Sequence, residues 1–475
     1  MNKKNIIQIP ILILLLQLYF NINTQYSPFV SLFSIIICVF QFIFVLKSGF
    51  THYFRPVFIF LLSFFIVNCQ LYIDLLLNII TPSHYGFVNS NTINKGVILS
   101  AIAFTSFAIG YNILKSKEYI FKNDILYSRN LYNVIRFFQI SSFLLWVSQL
   151  SIDDFTGVSY LNSGAYDVTD TKYTDVLFSM SQIISYSYLS KQFHKPIKKI
   201  RIHKVIPFPF WSTSLFYILV KLMSGDRGSA IFICFMLLFF IIFITKIKIR
   251  IKIIFPVIVA SAFIMTSISF ARLLGNQLTF TEKLIYLYDN PDLLDEKPSI
   301  FPPTRELANS NLSTHVALDQ IINHNEDFHY GEFHMCYILN CIPFISNTII
   351  KELGIIRENR LSSEFVTVKF YGKFYQSGIG TSTIADNYLE FGVWGVILGV
   401  LILGILFKII DNTIINSYGA NLPMIFIIFS LTICYASISI PRAYFFFFIR
   451  LFIYIYILYK IFELLCYKKS RRVEN

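Results

Sequence analysis

The chain has 475 residues, of which 55% are hydrophobic and only 14% charged, with 51 Phe and 29 Tyr. Soluble domains carry about 25% charge, so the composition excludes a soluble globular enzyme and points to a polytopic membrane protein. The net charge of +13 is unevenly placed, and its placement reads as membrane topology.

Apolar stretches of roughly 20 residues, each enough to cross ~30 Å of hydrocarbon, recur along the chain. They lie near 6–22, 27–47, 55–80, 96–114, 131–150, 174–190, 205–223, 229–245, 253–270, 387–407, 422–440 and 443–462. The expected fold is therefore an all-α polytopic membrane protein with about twelve transmembrane helices. The first stretch follows Lys3 and Lys4 like a signal peptide, but no small-residue cleavage site follows, so it reads as a retained anchor. The sixth is the weakest, being rich in Ser, Tyr and Gln.

With the N-terminus inside, segments 1–5, 47–55, 115–136, 191–204, 246–252, 408–421 and 460–475 are cytoplasmic and hold about 25 of the 40 Lys and Arg. That satisfies the positive-inside rule and places both termini in the cytoplasm. The basic runs 195–201 and 246–250 are then short turns beside anionic lipid, not a nucleic-acid surface. Four segments follow from this topology. Residues 1–270 form a membrane domain with helices 1–9, and 271–385 an outer loop. Residues 386–463 carry helices 10–12, and 464–475 a basic cytoplasmic tail.

The long polar segment 271–385 holds 9 basic and 13 acidic residues. Its apolar spacing predicts a helix over 312–322. A second short helix is expected over 341–353, with Pro343 near its start and Gly354 past its end. Residues 361–371 alternate well enough for helix or strand. Asp289-Asn-Pro291 and Pro302-Pro303 read as turns. Together they describe a helical cap on the outer membrane surface. Cys336 and Cys341 share that side, either as a disulfide or as separate thiols.

Charged groups collect at the outer ends of the spans. Arg227 lies between Gly225 and Gly228, which let backbone approach a ligand. Arg272 closes the ninth span, Arg442 opens the twelfth, and Arg450 follows two turns on. Snorkelling to headgroups is the alternative role for Arg442 and Arg450. Arginine beside free helix N–H groups makes an anion site suited to a diphosphate. Thr383 and Asp386 are spaced as a capping box. Glu390 shares a helix face with Asp386, with an ion pair to one of the arginines as its alternative. Glu390, Asp386 and Glu306 are the candidate general bases, and Asp226 is a further acid beside Arg227. His329 and His334 can hydrogen-bond a sugar or phosphate, but their spacing does not align them for metal binding. Rings at Phe328, Tyr330, Phe333, Tyr337, Tyr371 and Tyr375 suit either sugar stacking or core packing.

Taken in order, Gly225-Asp-Arg-Gly228, Ser269-Phe-Ala-Arg272, Phe328-His-Tyr-Gly331, Ile342-Pro343 and the run from Gly378 through Thr383, Asp386 and Glu390 to Gly395 resemble the O-antigen (oligosaccharide repeat-unit) polymerases, Wzy-type, over roughly 220–400. The resemblance implies a metal-independent, cofactor-free glycosyltransferase of the bacterial inner membrane, acting on the periplasmic side. Donor and acceptor would both be oligosaccharides linked to undecaprenyl diphosphate, and a chain-length regulator protein is an expected partner. By the same resemblance Arg227 and Arg272 hold the diphosphate, and the reading of charge and backbone above adds Arg442, Gly225 and Gly228 to them. His329, His334 and Tyr330 would meet the sugars. The sequence departs from the related O-antigen ligases in having no obvious counterpart for their histidine, a place that His329 or His334 could fill.

An O-antigen ligase is the nearest alternative, because its donor chemistry is the same. A lipid-linked oligosaccharide flippase is the alternative from another class. It would need charges along a path across the bilayer, where only Asp74, Lys221 and Arg450 come close. The topology has a direct test. A periplasm-active reporter fused after Phe328 is expected to be active, and a cytoplasmic readout there would reverse the orientation of the cap.

Overall fold

The computed structural model describes residues 5–22, 25–48, 54–116, 118–120, 129–151, 169–193, 195–196, 206–224, 227–247, 249, 299–342, 352, 361–373 and 378–473. The regular secondary structure of these residues is helical, with no strand among them. The expected ninth span, Arg272, Gly225, the Asp289-Asn-Pro291 turn, Tyr375 and most of the helix expected over 341–353 lie outside them.

Two compact units are present, one of residues 1–116, 297–410 and 437–450, the other of 117–296, 411–436 and 451–475. Five helices are long and apolar enough to cross a membrane, at Pro28–Lys47, Pro56–Leu76, Ser90–Ile113, Gly228–Thr245 and Thr383–Asn416, among the described residues. Three shorter apolar helices, Ile7–Asn21, Phe208–Met223 and Met424–Ala436, join them. The sequence expectation of twelve spans exceeds this set.

The first unit begins with α1 (Asn5–Asn21), α2 (Pro28–Lys47), α3 (Pro56–Leu76) and α4 (Ile93–Ile113). Proline opens α2 and α3, where its fixed φ suits the first turn and no amide bond is lost. Inside the bundle, polar side chains tie helices together. Gln41 donates to Gln8 at 2.6 Å and to Thr105 at 3.4 Å, joining α1, α2 and α4. Arg55 is fully buried and donates to Leu46 O at 2.6 Å, meeting a carbonyl at the end of α2, and to the Tyr111 hydroxyl at 3.2 Å.

The cap contributes α9 (Arg305–Ala308), α10 (Leu312–Ile322), α11 (Glu332–Leu339) and α12 (Ser362–Tyr371). The α10 boundaries match the sequence expectation, and 361–371 resolves as helix. Pro302-Pro303 opens a short 3-10 turn. Several sets of bonds fasten the polar segment to the bundle, among them those of Gln70 on α3 with Ser299, Phe301 O and Thr304. Asp74 at the end of α3 accepts from Ser299 Oγ at 2.7 Å and Ile300 N at 2.8 Å. His315 on α10 is fully buried, with Nε2 2.9 Å from Tyr72 OH and Nδ1 2.9 Å from Thr92 Oγ1. Burial pulls its pKa down to about 3, so it is a neutral strut. Cys336 and Cys341 are free thiols.

Helix α13 (Thr383–Asp411) closes the unit. It packs so tightly on α4 that a side chain at Gly110 would meet the Leu401 backbone, and one at Gly404 the Phe107 carbonyl. Phe60, Phe107 and Phe407 stack where α3, α4 and α13 meet, with Phe60 centroids 4.9 and 4.4 Å from the other two.

The sequence reading of a plain span over 387–407 needs correction. Phe391 (φ −139°, ψ 22°) and Gly392 (φ 61°, ψ −146°) leave helical geometry. A Cβ on Gly395 would strike the Asn387 carbonyl, and one on Gly399 would strike the Asn387 side chain. In a straight helix these residues would be about 12 and 18 Å apart along the axis. The first two turns of α13 therefore fold back beside the long apolar part.

The second unit holds α5 (Arg129–Val147), α6 (Thr169–Lys191), α7 (Phe208–Met223), α8 (Arg227–Thr245) and α14 (Met424–Ala436). The polar residues that weakened the sixth expected span face inward. Ser181 meets Ser142 at 2.8 Å, Gln182 accepts from Ser214 at 2.6 Å, and Tyr186 OH lies 3.0 Å from Ser214. Lys221 pairs with Asp175 at 2.6 Å. The last helix, α15 (Phe447–Val473), starts in the first unit.

The break in α13 sets a stability prediction. Gly395→Ala is expected to cost about 1–3 kcal/mol through overpacking, read as a lower thermal unfolding midpoint in detergent. Gly378→Ala, whose new methyl would lie 3.5 Å from Thr367 Oγ1, is expected to leave the midpoint unchanged.

Candidate functional site

The head of α13 carries the candidate site. Ser382 caps the helix, its Oγ accepting from Ala385 N at 3.0 Å, and it touches Thr314 Oγ1 of α10 at 2.8 Å. This corrects the capping-box reading. Thr383 lies inside the helix and donates instead to Ile440 O. Asp386 is thereby free to turn away from the helix end.

Asp386 is fully buried. Its Oδ1 accepts from Ser362 Oγ of α12, and its Oδ2 accepts from Phe445 N at 2.9 Å. The same Oδ2 lies 3.3 Å from His334 Nε2. Tyr337 OH, one turn along α11 from His334, is 3.1 Å from Ser362 Oγ. Its hydroxyl is pushed well up by burial and by the Asp386 charge, so it stays protonated and acts as a donor. Tyr337 also stacks on Tyr444 with centroids 3.8 Å apart. The result is a chain of hydrogen bonds from Tyr337 through Ser362 to Asp386 and on to His334.

Glu390 is also fully buried, one turn below Asp386. Its partners are backbone amides. Gly331 N donates to Oε2, and His334 N donates to Oε1 at 2.8 Å. His334 Nδ1 lies 3.9 Å from Oε1. The segment 329–330 adds two more bonds, His329 N to Leu389 O and Tyr330 N to Glu390 O, each 3.0 Å. Phe328 fills the space that a side chain at Gly392 would need.

His334 is the part of this cluster that reaches the surface, with 16% of its side chain exposed against none for the two carboxylates. Burial pulls its pKa down, but the hydrogen bond and charge of Asp386, with the charge of Glu390, outweigh that and raise it above 6.5. Phe446 and Phe391 border the ring, at 5.1 and 6.4 Å between centroids. A histidine backed by a buried carboxylate is suited to accept a proton and hold it as imidazolium.

The other residues singled out in the sequence take varied places. Tyr330 is 71% exposed at a positive φ of 48°, open to a ligand. His329 is packed between Phe333 and Phe365, with Nδ1 3.3 Å from Glu332. Phe333 and Tyr337 belong to the core of the cap, whereas Tyr371 is exposed. Arg442 is exposed on the turn whose neighbours Ile440 and Phe445 bond the head of α13. Glu306 is exposed on α9. Gly228 is exposed in the first turn of α8, beside Arg227. Ser362 and the Phe445 amide were not singled out from the sequence. A serine in a helix and a main-chain amide carry no motif that would mark them. No group of three His, Cys, Asp or Glu placed to hold a metal ion occurs among the described residues.

Residues 322–470 match the family model for O-antigen polysaccharide polymerase Wzy. The resemblance read from the motifs is borne out there, and the matched stretch contains His334, Asp386, Glu390 and Arg442. No curated protein and no solved structure matches the chain.

The raised pKa of His334 has a measurable consequence. Its contribution to stability is full below the unfolded value near 6.5 and is lost as pH rises through the higher folded value. The difference in thermal midpoint between the native chain and His334→Gln is expected to shrink across that window. A difference independent of pH would show that the histidine is not charged in the fold.

Proposed function

From the Wzy-family match over residues 322–470, we propose that this chain is an O-antigen polymerase. It joins oligosaccharide repeat units carried on undecaprenyl diphosphate, at the periplasmic face of the inner membrane. The observation that carries the reading is the His334–Asp386 pair, built where the cap meets the head of an apolar helix.

Glycosyl transfer without a metal needs two things. The leaving diphosphate must be met by positive charge, and the acceptor hydroxyl must lose a proton. Arg227 and Arg272, with Arg442, Gly225 and Gly228, are proposed for the first task, the arginines as fixed charges on developing negative charge. The proton is proposed to pass from the acceptor hydroxyl to His334, whose imidazolium Asp386 then stabilises. General base catalysis of this kind is worth typically 10²–10⁴-fold. The acceptor oxygen forms the new bond to the anomeric carbon as the bond to the diphosphate breaks. Tyr330 is proposed as a sugar-facing ring, with His329 behind it. Glu306 remains a further acid of the cap, remote in sequence from the pair. A chain-length regulator protein is the expected partner.

The test is deletion of the gene in its host, followed by gel analysis of the lipopolysaccharide. Core carrying a single repeat unit is the expected result. Loss of all O-antigen would point to the ligase or flippase alternatives. Restoring the deletion strain with Asp386→Asn, Arg227→Ala or Arg272→Ala is expected to leave single repeats. A native ladder from either arginine variant would remove that residue from the diphosphate site.

A further inference from the structure

Glu390 stood in the sequence as a candidate base, yet its surroundings describe another task. Both carboxylate oxygens are taken up by main-chain amides, and the group has no exposed surface. Gly331 is the N-cap of α11 and His334 lies in its first turn. Those N–H groups have no partner within the helix, and a carboxylate placed there is favoured by the helix dipole. The turn it holds is conformationally unfavourable. Tyr330 has φ 48° and Gly331 φ 97°, and a non-glycine residue at positive φ persists only when its surroundings enforce it. The amides of 329 and 330 bond the carbonyls of 389 and 390, which the break at Phe391–Gly392 leaves without helical partners. Four hydrogen bonds thus join residues 329–334 to the broken end of the helix.

Building on the reading of His334 as proton acceptor, we propose that Glu390 is a positioning residue that clamps the 329–334 segment onto the break in α13, so fixing the His334 ring against Asp386 and Tyr330 toward the sugar. Opening this clamp would free His334 from its carboxylate and turn Tyr330 away in one movement. The titratable groups facing His334 are Asp386 and Glu390, both from α13, while Tyr337 on its own helix bonds Ser362, the donor to Asp386. Phe445 and Phe446 lie against it from the segment before α15, where Tyr444 and the Arg450 charge stand behind.

Two variants of the full-length protein separate clamp from base. Hydrogen exchange in lipid nanodiscs reads the clamp without reference to activity. Glu390→Gln puts an amide N–H₂ against a main-chain N–H. It is expected to speed exchange over 329–336 by roughly tenfold or more, with 396–404 unchanged. Glu390→Asp, one methylene short, is expected to do the same. The pH profile of polymerisation of lipid-linked repeats reads the coupling to His334. Glu390→Gln is expected to move its acid limb to lower pH, because a charge that favours imidazolium is gone and His334 is released from Asp386, whereas Glu390→Asp, which keeps the charge but loosens the clamp, is expected to move the limb less. Unchanged exchange in both variants would overturn the clamp. Loss of turnover at every pH in Glu390→Gln, with native exchange, would make Glu390 the base instead. If the native chain does not polymerise lipid-linked repeats, the functional reading fails, and the exchange result still decides the clamp.

Discussion

A carboxylate with no exposure to water has to find donors for its oxygens, or give up its charge. Asp386 finds them from three directions, in the Ser362 hydroxyl, the Phe445 amide and the His334 ring. These donors come from α12, from the turn before α15 and from α11. Two belong to the cap and the third follows α13 in the chain. Satisfying one buried group therefore gathers two helices of the cap and the turn before α15 around the head of α13. It also fixes which side of the histidine faces inward.

The break in α13 works at the same place. A continuous helix would have run its backbone past this point with every carbonyl bonded internally. Breaking it at Phe391–Gly392 exposes the carbonyls of Leu389 and Glu390, and the 329–330 amides take them. Irregular backbone near an apolar span is tolerated where protein covers it. Here the cover is the segment that carries His334. The glycines at 392, 395 and 399 permit the fold-back, because each faces an atom that a side chain would displace.

Much of this was legible in the sequence, and the remainder has physical reasons for being hidden. The α10 helix has a clean apolar period, and its ends were placed correctly. Phe328 to Gly331, Asp386 and Glu390 were all singled out, and the structure brings them together. His334 was marked for sugars, since nothing in a spacing of 52 residues from Asp386 announces a pair. The partners of Glu390 are main-chain amides, which every residue but proline possesses, so an arginine was the natural expectation. Hydropathy sums composition and does not see a break in a helix. It also scores α6 low for residues that face its neighbours. Arg227 and Arg272, the residues that the resemblance weights most, rest on sequence order alone.

The fastening of α10 has a consequence for the modularity of the chain. His315 is bonded to Tyr72 of α3 and to Thr92 at the head of α4, and the adjacent Thr314 meets the cap residue of α13. Tyr19 of α1 likewise touches the Tyr388 hydroxyl at 2.9 Å. The family-matched region thus leans on helices far upstream of it for its shape. A hybrid made by exchanging only residues 322–470 with a relative would graft the chemistry onto foreign supports. Recombination that keeps the first unit whole exchanges 1–116, 297–410 and 437–450 together, so that the first four helices travel with the cap.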